Sequence, residues 1–138
     1  MMRIKFLYQV ETQLCDPMDR KISETLVRWK SDPGRMPLII HGARQVGKTY
    51  IIKQFGRQHY DDVLYLNLEI EEQFCKFLET EISPGKILQY LEAAKGIKVA
   101  AGSTLIFFDE IQISERAITS LKYFCEDMPE HHVIAAGS

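Results

Sequence analysis

Residues 42–49 read Gly42-Ala-Arg-Gln-Val-Gly-Lys-Thr49, the pattern G-x-x-x-x-G-K-S/T. No other feature of the chain constrains its fold as tightly, because this pattern works only between a strand and the helix that follows it. Pro37-Leu-Ile-Ile-His41 is a suitable apolar run before it, and a helix is expected after it from about Lys48 to Phe55, closed by Gly56 in the left-handed conformation. The residues have separable duties. Gly42 and Gly47 let the backbone wrap with its N–H groups turned inward toward an anion, where a Cβ would obstruct the path. Ala43, Arg44, Gln45 and Val46 complete this candidate phosphate-binding loop. The helix N-terminus adds N–H donors and partial positive charge. Lys48 sets a cation against the β- and γ-phosphates, and the Thr49 hydroxyl is a hard oxygen ligand for Mg2+. The side chains of Arg44 and Gln45 either reach a phosphate or a partner or are simply solvated, and no chemistry is assigned to Arg44.

The remaining chain alternates strands with helices. Asp16-Pro17 can open a helix whose apolar residues Ile22, Leu26 and Trp29 share one face. Val63–Leu68 reads as a second strand, followed by a helical stripe of Ile70, Phe74, Phe77 and Leu78. Ser83-Pro84 begins a helix that buries Ile87, Leu88 and Leu91 and stops at Gly96. Thr104–Phe108 is a continuously apolar strand, as expected where helices cover both faces. Ser114 can cap a helix lined by Ile118, Leu121 and Phe124/Cys125, and Val133–Ala136 is a fourth strand. Such alternation implies βαβ crossovers, hence an α/β fold of three layers with a parallel sheet and helices on both faces.

Two carboxylates, Asp109 and Glu110, follow the third strand directly. Ligands of open α/β sheets bind beyond the carboxyl ends of the strands, so this pair and the Gly42–Thr49 loop belong to the same sheet edge. An unpartnered charge at a buried strand end is expensive, which favours a chemical role. Asp109 is placed to hold Mg2+ or its waters, and Glu110 to orient or deprotonate a water for in-line attack on a γ-phosphate. The residues therefore read as a P-loop site for ATP and Mg2+ in which Glu110 and Lys48 carry the chemistry. No Asn-Lys-x-Asp segment for reading guanine occurs.

Trp29-Lys30, Met36–Ile40, the loop Gly42–Thr49, Tyr65–Glu69, Leu105–Gln112 and Leu121–Glu126 together resemble a prokaryotic family of AAA+ ATPases whose full-length members carry a C-terminal domain of unknown function. The resemblance covers about Met18 to Ser138. It implies the strand order 5-1-4-3-2, with the fourth strand between the loop strand and the acidic one, and it puts Ser138 near a polar sensor position that touches the γ-phosphate and the attacking water. It also implies that the family's fifth strand, helical lid, second sensor, arginine finger and C-terminal domain lie beyond Ser138. The chain is thus expected to be a core of residues 18–138 truncated after its fourth strand, preceded by an extension, residues 1–17, that matches nothing in the family. Without a fifth strand, Pro37–Ile40 is expected to be an unpaired apolar sheet edge that invites self-association.

Composition narrows the alternatives. The chain has 138 residues and a formal net charge of −2, which argues against a general polyanion binder and gives nucleic acid no support. Locally the balance differs: residues 18–57 carry nine Lys/Arg against three Asp/Glu, residues 61–81 one Lys against seven Asp/Glu. Solvated helix faces would give this pattern, as would a positive field around a polyphosphate. No run approaches the roughly 18 apolar residues of a membrane span. With Gln9 and Glu11 interrupting the N-terminus, a cytoplasmic location is expected, with Cys15, Cys75 and Cys125 as buried free thiols. A non-hydrolysing nucleotide-binding or interaction module remains the alternative to an Mg-ATPase. A helicase-like motor fragment, prompted by Asp109–Gln112, is the third reading and lacks a basic, aromatic-lined channel.

Overall fold

The structure, a computed structural model, describes residues 5–10, 16–42 and 47–138, those up to residue 20 by their backbone. In chain order the elements are β1 (Lys5–Val10), α1 (Asp16–Ser31), β2 (Leu38–Gly42), α2 (Lys48–His59), β3 (Asp62–Asn67), α3 (Glu72–Thr80), α4 (Pro84–Lys95), β4 (Thr104–Asp109), α5 (Glu115–Asp127) and β5 (His132–Gly137). They form one five-stranded sheet of order β1-β2-β5-β4-β3, with every neighbouring pair parallel. As expected, the last strand lies between the loop strand β2 and the acidic strand β4.

Successive residues of a strand face opposite sides, and that alternation builds two cores. Leu38, Ile40, Leu105, Phe107, Ile134 and Ala136 pack on one side with Ile22, Leu26 and Trp29 of α1 and Ile51, Ile52 and Phe55 of α2. Ile39, Leu66, Ile106, Phe108, Val133 and Ala135 pack on the other with α3, α4 and α5 through Phe74, Leu78, Ile87, Leu91, Leu121 and Phe124. All residues of β4 and β5 are buried, as strands covered on both faces must be.

Four expectations need correction. Pro37–Ile40 is not an unpaired edge, because β1 runs parallel to β2 with Lys5 opposite Leu38 and Val10 opposite Gly42. A buried apolar strand with open N–H and C=O groups is a template for pairing, and the β-prone segment Lys5-Phe-Leu-Tyr-Gln-Val10 fills it. The reason given for self-association is thereby removed. Gly56 does not end α2, which continues to His59. A Cβ at Gly56 would lie 2.5 Å from Val63 Cγ2 and 3.0 Å from Leu105 Cδ2, so glycine serves close approach of the helix to β3 and β4. Ile70 precedes α3 and is exposed, leaving Phe74 and Leu78 as that helix's buried residues. Cys75 and Cys125 are half-buried free thiols rather than fully buried ones, and Cys15 lies outside the described residues. Other boundaries agree: Gly96 caps α4 at φ 68°, and the Ser114 side chain accepts from the Ala117 N–H at the start of α5.

At the amino ends of the strands, buried His132 opens β5 with its Nδ1 2.6 Å from the Tyr60 hydroxyl and the Trp29 ring edge-on at 5.8 Å. Burial, followed by the charges of Arg35, Lys30 and His131, pushes its pKa down from 6.5 to about 4. The folded state therefore holds His132 neutral where the unfolded chain would protonate it, so stability is lost as pH falls from about 6.5 toward 4. The loss should be on the order of 2 to 3 kcal/mol. Denaturant titrations between pH 7 and 4.5 should show a shallower pH slope for His132→Gln than for the native chain. Equal slopes would remove His132 as the cause.

Candidate functional site

The carboxyl ends of β2, β4 and β5 converge with the amino end of α2. Gly47, just before α2, has φ 76° and ψ 19°, a left-handed conformation that glycine adopts without a Cβ penalty. Ala43, Arg44, Gln45 and Val46 lie outside the described residues. Lys48 is buried although cationic, and its Nζ donates to Gly42 O and Gly137 O, each at 2.8 Å. One ammonium thus joins the tips of β2 and β5. Burial and the neighbouring Lys48 charge also hold the His41 imidazole below its ordinary pKa.

At the next residue, the Thr49 hydroxyl donates to Asp109 Oδ2 at 2.6 Å, joining two residues 60 positions apart. Asp109 is buried at the end of β4, and its other oxygen accepts from the Glu110 N–H at 2.9 Å. A further donor escaped the sequence reading: the Tyr65 hydroxyl donates to Asp109 Oδ2 at 2.8 Å. Burial, the bond to Asp109 and the Asp109 and Glu110 charges raise the Tyr65 pKa, so the phenol remains a donor at neutral pH. The Lys53 ammonium lies 3.8 Å from the Tyr65 ring centre, and Phe107 meets the ring edge-on. A strand tyrosine two residues from the strand end was the available signal. What pairs it with Asp109 is the β3–β4 register, Tyr65 opposite Phe107 and Asn67 opposite Asp109.

Glu110 sits at φ 54° and ψ 46°, the left-handed region, and is the one non-glycine residue there among those described. Such a residue carries strain on the order of 1 kcal/mol or more, and strain of this kind gathers at functional sites. Gln112 Nε2 donates to Glu110 Oε1 at 2.8 Å. Ser138, exposed after β5, donates its backbone N–H to Gln112 Oε1 at 3.2 Å. The structure therefore brings Gly42, Gly47, Lys48, Thr49, Asp109, Glu110 and Ser138 to one edge. A paired hydroxyl and carboxylate, both hard oxygen donors, suit Mg2+, and a buried ammonium beside a helix N-terminus suits a polyphosphate.

The family model for the AAA domain matches residues 34–138, which include every one of these side chains. The chain belongs to the AAA domain family. An AAA domain is a P-loop nucleotide-binding unit with ATP as its ligand class, in accord with the loop and acidic pair just described. The match begins after α1 and so covers four of the five strands of this AAA domain. No curated protein and no solved structure matches the chain. Among the described residues, no helix is long and apolar enough to cross a membrane.

Proposed function

We propose that this AAA domain binds ATP with Mg2+ at the carboxyl edge of its sheet and hydrolyses it slowly. The observation that carries the reading is the 2.6 Å bond between Thr49 and Asp109, two oxygen-ligand groups brought together beside the buried Lys48. Residues Gly42 to Thr49 bind the phosphates through backbone N–H groups and the α2 terminus, with Lys48 against the β- and γ-phosphates. Thr49 and Asp109 hold Mg2+, which when bound offsets phosphate charge. Tyr65 and the Glu110 N–H fix the Asp109 carboxylate in place. Glu110 orients and deprotonates the attacking water, and Ser138 lies beside it at the tip of β5. Slow turnover is expected of these residues alone, since an arginine at the γ-phosphate adds about 10³- to 10⁵-fold in other nucleotide hydrolases. Residues 18–138 form the ATPase core in this reading, placed in the cytoplasm, and the preceding segment adds β1 to its sheet.

Binding is tested by thermal unfolding with ATP and Mg2+. At 100 times its Kd the nucleotide should stabilise the chain by about 2.7 kcal/mol. No shift would end the proposal. A shift without phosphate release would leave a nucleotide-binding module that does not turn over.

A further inference from the structure

The Gly137–Ser138 peptide is engaged from both sides. Its carbonyl accepts from Lys48 Nζ at 2.8 Å, and its N–H donates to Gln112 Oε1 at 3.2 Å. A peptide unit is planar, so a shift of its oxygen is a shift of its N–H. Gln112 passes the connection on, since its Nε2 donates to Glu110 Oε1 at 2.8 Å. The orientation of this amide follows from its partners: an ionised carboxylate only accepts and a backbone N–H only donates. Among the side chains of this length, Gln alone offers a neutral acceptor and a donor side by side. Glu at the same place would set carboxylate against carboxylate.

The surroundings hold Gln112 to this task. Ile111 beside it is buried, and the turn is closed by Ile113 N to Glu110 O and Ser114 N to Ile111 O, both 3.1 Å. The left-handed backbone of Glu110 begins that turn. On the facing side, a Cβ at Gly137 would lie 2.7 Å from Gln112 Oε1 and 3.3 Å from Ile111 Cγ2, so a side chain there would push the Gln112 amide out of its present place.

We propose that Gln112 is a positioning residue that couples the Lys48 ammonium to the Glu110 carboxylate through the Gly137–Ser138 peptide. A phosphate that draws on Lys48 alters the pull on the Gly137 carbonyl, and the amide of Gln112 carries that change to the group facing the water. The catalytic half of this inference rests on Glu110 as the water-activating residue. It also gives the Ser138 position a backbone role independent of its hydroxyl.

The test combines turnover with a double-mutant cycle read by NMR. Gln112→Ala and Gln112→Glu should lower kcat for Mg-ATP by about 10- to 100-fold, less than loss of the base itself, with KM within about twofold. Because Gln112 is exposed, neither change should disturb folding. The Ser138 amide resonance should move on Glu110→Gln in the native background and stay still when Gln112→Ala is already present. An equal response in both backgrounds overturns the coupling. So does native kcat in both Gln112 variants when Glu110→Gln abolishes turnover, an outcome that leaves the Glu110 reading intact. Native turnover in Glu110→Gln overturns that reading and the catalytic half of the inference. Where turnover lies below detection, the amide cycle alone decides the coupling.

Discussion

Glu110→Gln should lower ATP turnover by about 10²- to 10⁴-fold and leave nucleotide-induced stabilisation unchanged. The substitution preserves length and shape, and its carbonyl oxygen can still accept from Gln112 Nε2, now 2.8 Å from Glu110 Oε1. What is lost is the negative charge and, with it, the capacity to take a proton. The backbone supplies a second measurement, because the left-handed conformation of Glu110 opposes a side chain with a Cβ. Glu110→Gly relieves that strain and should be at least as stable as the native chain while losing turnover to the same degree. A residue held left-handed only for the turn would behave otherwise, with glycine in its place and turnover intact. The measurement is phosphate release over long incubations at saturating Mg-ATP, beside denaturant unfolding of the three chains. Equal release from native and Glu110→Gln protein would take the water-activating role away from Glu110.

The part of this site legible in the sequence is the part carried by local spacing. Gly42–Thr49 implied a strand before and a helix after, and β2 and α2 are there. Asp109 could be assigned to Thr49 across 60 residues because β2 and β4 belong to one parallel sheet and deliver their carboxyl ends, with the start of α2, to one edge. Register is different, because it depends on pairing between strands and leaves no local pattern. Tyr65 looked like one more residue of an apolar strand, and only the alignment of β3 with β4 turns its hydroxyl onto Asp109. Gln112 entered the sequence reading only as the end of the helicase-like stretch Asp109–Gln112 and of the family resemblance, since nothing in its neighbours announces a strand tip 26 residues later. Likewise Gly56 carries a helix-closing signal by type, but close packing against Val63 and Leu105 selects glycine for its missing Cβ. The N-terminal strand went unread for a related reason. Lys5–Val10 has too little apolar alternation to declare itself, and its partner is the open side of β2.

Lys48→Ala should abolish the stabilisation by Mg-ATP while changing the nucleotide-free chain much less. Lys48 is 7% exposed, and two partners of its ammonium are the carbonyls of Gly42 and Gly137. Neutral acceptors only partly offset the desolvation of a buried cation. An anionic phosphate among the same groups does so far better, which concentrates the worth of Lys48 in the bound state. Without nucleotide, Lys48→Ala removes both the buried charge and two hydrogen bonds, opposing effects that should leave stability within about 2 kcal/mol of native. With Mg-ATP at 100 times the native Kd, the native chain should gain about 2.7 kcal/mol and the variant none. In a chain of this size that is a difference of about 10 °C in melting temperature. Lys48→Arg separates charge from geometry: the planar guanidinium keeps the charge but does not fit a point-like seat between two strand tips, so recovery should be partial at best. Full nucleotide stabilisation in Lys48→Ala would show that the phosphates are bound elsewhere.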